Sequence, residues 1–168
     1  VKELILKIEK PIVLDADGIN ALNGDIEILK KRKHRTIITP HPGEMSRLIR
    51  QEIKKTKNQE NIAKKLAKET GIVVCLKGHR TVVASPSGEI YINKTGNSGM
   101  ASGGTGDVLT GIIASFVGQG MDDFSATVAS VYLHGLAGDI AAEKRGKFSL
   151  IASDIIEYLS DAFKKAGI

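Results

Sequence analysis

The sequence predicts an open, mostly parallel α/β sheet flanked by helices, with an antiparallel hairpin added to it. Short continuous β-branched runs recur at residues 11–15 (PIVLD), 36–39 (TIIT) and 72–77 (IVVCLK); continuous runs, unlike alternating ones, suit strands covered on both faces. Between the second and third lies a polar stretch, 58–69, whose Ile62, Ala63 and Leu66 fall on one helical face, which makes a β-α-β crossover. Residues 81–84 and 89–93 flank the turn-forming Ser85-Pro86-Ser87-Gly88, as the two strands of a hairpin do.

The remaining elements follow in order. The densest glycine stretch, 96–106, leads into an apolar helical pattern from Asp107 to about Val117. A second helix is expected over 122–143, with Ala126, Ala129, Val131, Leu133, Ala137 and Ile140 on most of its faces, the composition of a buried helix. A third is expected from Ser153, as N-cap before Asp154, to about Lys164. Neither a repeat nor a linker interrupts the chain, so residues 1–168 are read as belonging to one domain. The chain starts at Val1 and reaches its first strand within about a dozen residues, which leads us to expect an excised fragment or a processed product.

Composition narrows the class. With 42% hydrophobic residues in a length of 168, there is apolar material for one core. No apolar run approaches the roughly 18 to 20 residues that cross a bilayer. The start, VKELILKIEKP, is charged throughout, unlike a signal peptide, and a cytoplasmic protein is expected. The single Cys75 excludes an internal disulfide and any CxxC motif, and within IVVCL it reads as a buried, inert thiol. The net charge of +5 is concentrated in 30–35 (KKRKHR) and in the lysines between Lys54 and Lys68. Neither run is interleaved with rings that could stack bases, which speaks against nucleic acid. Both are read as solvated helix ends, and a phosphate-rich small ligand is the more useful meaning of the charge.

Chemistry concentrates at strand ends. Gly96-Asn97-Ser98-Gly99-Met100-Ala101-Ser102-Gly103-Gly104-Thr105-Gly106-Asp107 opens a helix, and glycines there let backbone N–H groups at Gly103, Gly104, Thr105 and Gly106 hold an anion beside the positive helix end. It is neither a Walker A loop nor GxGxxG. Asp107 has two readings: a carboxylate favoured in a helix's first turn, or a base that takes the proton of a hydroxyl attacking phosphorus. In Thr39-Pro40-His41-Pro42-Gly43-Glu44, His41 could bond a ligand and Glu44 could hold a magnesium ion through water; the alternative is a rigid turn. Asp15 and Asp17 could flank a metal or cap a helix. Lys77-Gly78-His79-Arg80-Thr81 ends the third run, where Lys77 or an N–H could reach phosphates. His134, mid-helix with Gly135 and Gly138 nearby for close packing, is read as a satisfied core histidine.

PIVLDADGINAL, TIITPHPGEMSRL, VVCLKGHRT and GNSGMASGGTGDVLTGIIAS, in this order, resemble the ribokinase-like superfamily and, more narrowly, the ADP- or ATP-dependent NAD(P)H-hydrate dehydratases, repair enzymes for hydrated nicotinamide cofactors. GGTGD alone points only to the superfamily; TPHPGE with GNSGMASGGTGD is far more specific. The resemblance implies a ribokinase-like fold, with Asp107 at the reacting hydroxyl and His41 and Asn97 as further substrate contacts. It also implies Gly106 and Lys77, Gly78, His79, Arg80 and Thr81 around the adenine nucleotide. Ser98 stands where the family usually has proline, and Ser102 where it has another small residue before Gly-Gly. Family members carry further strands and substrate contacts upstream, so the chain is expected to be the C-terminal part of such a domain.

The chemistry so implied begins as a kinase and ends as a lyase. Phosphorylation turns a poorly leaving ring hydroxyl into a good leaving group, which the ring nitrogen then expels. Mg²⁺ and ADP, with ATP as the alternative donor, are the expected cofactors; a homo-oligomer and a fused or separate NAD(P)H-hydrate epimerase are the expected partners. Two rivals stay open: a vitamin-precursor kinase of the same superfamily, against which TPHPGE speaks, and a truncated domain that only binds nucleotide.

Overall fold

The computed structural model describes residues 1–53 and 58–168; Lys54, Lys55 and Lys57 of the second basic run lie outside the described residues. Two compact units are distinguished, Val1–Ile92 with Asp122–Phe124, and Asn93–Met121 with Ser125–Ile168.

The first unit is built on a five-stranded sheet in chain order, β1 (Ile12–Leu14), β2 (Thr36–Ile38), β3 (Val73–Leu76), β4 (Val82–Ala84) and β5 (Ile90–Ile92). β1, β2 and β3 run parallel, with Ile12 opposite Thr36 and Ile37 opposite Val73; β4 and β5 complete an antiparallel meander, with Cys75 opposite Val83 and Val83 opposite Tyr91. The continuous apolar runs of β2 and β3 are buried at every residue, whereas the outer strands β1 and β5 are half-buried. The hairpin turns where expected: Gly88, at φ +98°, donates its N–H to Ser85 O, and Ser85 donates to Glu89 O.

Helices α1 (Lys2–Lys7), α2 (Ala16–Asn20), α3 (Glu27–Lys31) and α4 (Pro42–Ile49) precede the crossover helix α5 (Gln59–Thr70). α5 turns Ala63, Leu66 and Ala67 into the core with Ile62 packed beside them, and Gly71, left-handed at φ +74°, ends it. The Thr39–Glu44 stretch turns from the end of β2 into α4, with Pro42 at the first helical position, where its missing N–H is no loss, and Glu44 in the first turn.

One basic run is not a solvated helix end. Arg32 is 8% exposed; its guanidinium donates to the carbonyls of Ile5, Ile8 and Lys10 and to Thr36 Oγ1. Burial lowers its pKa from the ordinary value. It ties the end of α1 and the following turn to the start of β2, satisfying carbonyls that would otherwise be orphaned. Its neighbours Lys30, Lys31 and Lys33 are exposed as expected.

In the second unit, α6 (Thr105–Gly118), α7 (Asp123–Arg145), α8 (Ala152–Glu157) and α9 (Leu159–Ala166) surround Leu133, Leu136, Ala137, Ile140, Leu150, Ile155 and Ala162. α7 is buried on most of its faces, as its small apolar residues predict. The single helix expected from Ser153 is two, α8 and α9, broken at Tyr158, and Ser153 is not its N-cap. Ile151 occupies that place, and its N–H is taken by the Asp154 carboxylate at 2.9 Å. Asp154, 2% exposed, is paired with Arg145, whose guanidinium lies over the Tyr158 ring. Among the described residues no helix is long and apolar enough to cross a membrane.

Cys75 is fully buried and free, and burial pushes its thiol up to about 12, with Asp15 adding to the rise and Lys77 opposing it. The unfolded thiol ionises near 8.5, so the stability this group contributes is complete below that pH and is lost as pH rises towards 12. Urea unfolding should therefore show a loss of roughly 1 to 2 kcal/mol by pH 10 in wild type that Cys75→Ala lacks. Arg32→Ala should lower stability by about 3 kcal/mol, because three backbone carbonyls lose their donor at once; an unchanged unfolding midpoint would show that water replaces the clamp.

Candidate active site

In the first unit, the C-terminal ends of the three parallel strands bring most of the expected residues to one sheet edge. β1 ends at Asp15, which caps α2 by accepting the Ala16 N–H at 2.9 Å. β2 ends at Thr39, whose N–H donates to Leu14 O, and β3 ends at Lys77, whose N–H donates to Pro40 O at 2.8 Å. The backbone is thus stitched across all three ends. The Lys77 ammonium lies 2.6 Å from Asp15 Oδ1, both side chains mostly buried. Sequence reasoning set these two residues at separate tasks and missed the pair. Gly78, His79 and Arg80 form an exposed turn closed by Thr81 Oγ1, which donates to Gly78 O at 3.1 Å, and Arg80 adopts φ +61°.

His41 and Glu44 form a capping box at the start of α4. His41 Nδ1 accepts the N–H groups of Gly43 and Glu44, so this nitrogen is the unprotonated one; Glu44 Oε2 accepts the His41 N–H at 2.8 Å, and its Oε1 lies 3.4 Å from His41 Nε2. The His41 side chain is 51% exposed, the Glu44 side chain 6%. Asp17 serves a local turn, accepting the Asn20 amide. Among the described residues no group of three or more His, Cys, Asp or Glu is gathered as a metal cluster would need.

The second unit holds the glycine stretch. Asn97 caps a 3₁₀ turn, Ser98–Met100, by accepting the Gly99 N–H at 3.0 Å, while its amide donates to Gly138 O and Asp139 Oδ1, each at 2.9 Å. All the hydrogen-bonding groups of its side chain are therefore engaged within the protein. Gly104, at φ +87°, is the N-cap of α6, a backbone conformation that favours glycine. Thr105 Oγ1 lies 2.9 Å from both Met100 O and Ser102 O, and His134 Nε2 donates to Thr105 O at 2.9 Å, which fixes the protonated ring nitrogen. His134 is thus satisfied, as expected.

α6 makes its first intrahelical bond from Val108 N–H to Gly104 O, so the N–H groups of Thr105, Gly106 and Asp107 precede it, the arrangement that binds anions. Asp107 is exposed, at the third position of the helix. Glu44 and Asp154 occupy that same position in α4 and α8, and each turns back to accept the N–H of its own N-cap residue. Asp107 does not. Among the described residues its carboxylate has no hydrogen-bond or ion-pair partner. It borders a groove of about 520 Å³ lined also by Val108, Ile112, Phe116, Ile156 and Phe163.

A family model for NAD(P)H-hydrate dehydratases matches residues 1–161. The bifunctional NAD(P)H-hydrate repair enzyme Nnr of Moorella thermoacetica is 48% identical over 95% of this chain and 30% of its own length. The ADP-dependent (S)-NAD(P)H-hydrate dehydratase of Neisseria meningitidis is 43% identical over 88% of this chain and 51% of its own. The crystal structure of the ADP/ATP-dependent NAD(P)H-hydrate dehydratase from Bacillus subtilis, co-crystallized with ATP/Mg²⁺ and soaked with CoA, superposes with a TM-score of 0.84 at 32% identity, covering 97% of this chain and 59% of that one. The chain belongs to the NAD(P)H-hydrate dehydratase family, and its fold is the ribokinase-like one. It spans between about a third and three-fifths of the length of these relatives.

One loop atom stands out. Ser102 Oγ is buried and, among the described residues, has no hydrogen-bond partner, and a desolvated hydroxyl without a partner costs about 1 to 3 kcal/mol. Ser102→Ala should therefore raise stability by about 1 kcal/mol in chemical unfolding. A fall instead would mean that the hydroxyl is satisfied in solution.

Proposed function

We propose that residues 1–168 are the C-terminal part of a single ribokinase-like domain, and that the whole protein uses an adenine nucleotide to dehydrate hydrated NADH and NADPH to the reduced cofactors. The reading rests on the family match and on one observation: of the four carboxylates at the third position of a helix among the described residues, Glu44 and Asp154 turn back to their caps and Asp161 pairs with Lys164, whereas Asp107 stands exposed and unpartnered beside first-turn amides that make no intrahelical bond.

Asp107 takes the proton of the substrate's ring hydroxyl as that oxygen attacks the terminal phosphorus of the nucleotide. The bond from that phosphorus to the nucleotide breaks, leaving AMP from ADP or ADP from ATP. The amides of Gly103, Gly104, Thr105 and Gly106 stabilise charge on the transferring group without a cationic side chain. The ring nitrogen's lone pair then expels phosphate as the C–O bond breaks, and loss of a proton from the neighbouring ring carbon restores the dihydronicotinamide. His41, with its half-exposed ring, contacts the hydrated cofactor, and the turn from Lys77 to Thr81, exposed at Gly78, His79 and Arg80, with Gly106, lines the nucleotide. Asn97 contributes by shaping its loop, since its side chain is already engaged.

ADP is the preferred donor and ATP the alternative, in keeping with the names of the relatives. Among the described residues the carboxylate donors do not gather into a cluster, and Glu44 is buried in its cap. They suit a hydrated Mg²⁺ carried by the nucleotide's phosphates and met by Glu44 only through water. Such an ion would neutralise charge developing on the phosphoryl group. We place the reaction in the cytoplasm, by a protein that self-associates and is served by a fused or separate epimerase; the bifunctional name of the Moorella relative supports the last point.

The test is turnover of hydrated NADH by the full-length natural protein with ADP or ATP, with and without Mg²⁺. Nucleotide-dependent recovery of the reduced-nicotinamide absorbance with release of phosphate is expected; a stable phosphorylated product would identify a kinase instead, and equal turnover without nucleotide would overturn phosphoryl activation. Asp107→Asn should lower kcat by about 100- to 10,000-fold and leave nucleotide affinity within about tenfold, since the amide keeps the shape but cannot take the proton. Near wild-type turnover would reduce Asp107 to a helix-end carboxylate.

A further inference from the structure

We propose that Asp139, on α7, is a positioning residue for the glycine loop that carries the reaction; this rests on the function proposed above. Its two carboxylate oxygens are divided between the loop's first two residues: Oδ2 accepts the Gly96 N–H at 2.8 Å and Oδ1 accepts the Asn97 amide at 2.9 Å. Asn97 passes the restraint on, because the same amide donates to Gly138 O and its carbonyl oxygen holds the Gly99 N–H. One ionised side chain therefore fixes both the entry of the loop and the residue that shapes its first turn.

The loop lies against α7 through a surface made for it. A Cβ at Gly135 would fall 2.7 Å and 2.8 Å from the backbone C and O of Thr95, so this position admits the segment only as glycine, and one at Gly138 would fall 2.3 Å from Met100 Sδ and force that side chain to move. Thr95 Oγ1 donates to Tyr132 O, and the Asn93 amide to Val131 O. About one and a half turns of α7 before Asp139, His134 holds Thr105 O, two residues before Asp107. Contacts at Gly135, Gly138 and His134 would be kept by neutral side chains and close packing alone. Asp139 supplies the charged contact, and hydrogen bonds to a charged acceptor are about twice as strong as neutral ones.

The geometry explains why an aspartate is needed. An asparagine at 139 has one acceptor oxygen, so its own NH₂ must meet either the Gly96 N–H or the Asn97 amide, donor against donor. Exchanging the partners, Asn97→Asp with Asp139→Asn, restores a donor and an acceptor between the two side chains and an acceptor for the Gly96 and Gly99 N–H groups, but sets a carboxylate oxygen at position 97 against Gly138 O, acceptor against acceptor, so the repair is partial.

The experiment compares D139N, N97D and the double exchange in the full-length natural protein, reading kcat and KM for the nucleotide together with amide hydrogen exchange over residues 96–106. Each single variant should lose about 10- to 100-fold in kcat, with KM changed less than about threefold, and exchange should quicken in the loop while the core of α7 stays protected. The double variant should regain part of the kcat and of the loop's protection over either single variant, and the loss in kcat with a nearly unchanged KM separates positioning of the reactive loop from a general loss of structure. Wild-type kcat in D139N with unchanged loop protection would overturn the proposal, as would single losses that simply multiply in the double variant. If wild type itself fails to dehydrate its substrate, the functional reading is overturned, and the role of Asp139 in positioning a reactive loop falls with it. Quickened exchange in D139N would then show an anchor without that chemistry.

Discussion

The second unit depends on a steric allowance: at two places on α7 there is no side chain. Where Gly135 and Gly138 leave the helix surface bare, the chain from Asn93 to Met100 comes within bonding distance of α7's own backbone. Once there, it finds carbonyls at Val131, Tyr132 and Gly138 that accept side-chain donors from Asn93, Thr95 and Asn97. In a regular helix those carbonyls already accept an intrahelical N–H and have a second lone pair to offer. The docking is therefore polar as well as tight, and polar contacts specify register more narrowly than apolar packing does.

From that register follows the start of α6. Gly104 turns in the left-handed region, Thr105 folds its hydroxyl onto carbonyls of the loop just behind it, and His134 restrains the same residue from α7. Among the described residues the first helical amides have no acceptor of their own, and Asp107 stands beside them. The contrast with α4 and α8 shows how context alters one position of a helix. Glu44 and Asp154 are buried and used by their own caps, whereas Asp107 is exposed, and its N-cap is a glycine whose left-handed turn sends the chain away from the geometry of a capping box.

Much of this was legible in the sequence because it depends on short-range signals. The continuous β-branched runs mark β1, β2 and β3 to within a residue or two, and the Ser-Pro-Ser-Gly cluster marks the hairpin. The glycine loop and Asp107 show themselves by composition and by position before a helix. The short helices α1 to α3 were not legible, since each buries only one or two apolar residues, Ile5, Ile19, or Ile28 with Leu29, too few to set a period. Arg32 was misread because a run of basic residues looks the same whether or not one of them turns inward to meet carbonyls 22 to 27 residues earlier. The Asp139 anchor lies 42 residues beyond Asn97, and its one trace is the spacing Gly135, Gly138, Asp139, which only becomes meaningful once something is known to lie against it.

At the sheet edge of the first unit, the Lys77 and Asp15 side chains are joined at 2.6 Å with little exposure. To a distant anion the two charges largely cancel, so the lysine draws in no loose phosphate or chloride by field alone. An arriving anion must displace or share Asp15 at close range, where direction and shape count for more than net charge. A lysine so paired would make a discriminating contact rather than an attractive one: a ligand would have to bring further contacts of its own before the pair yielded.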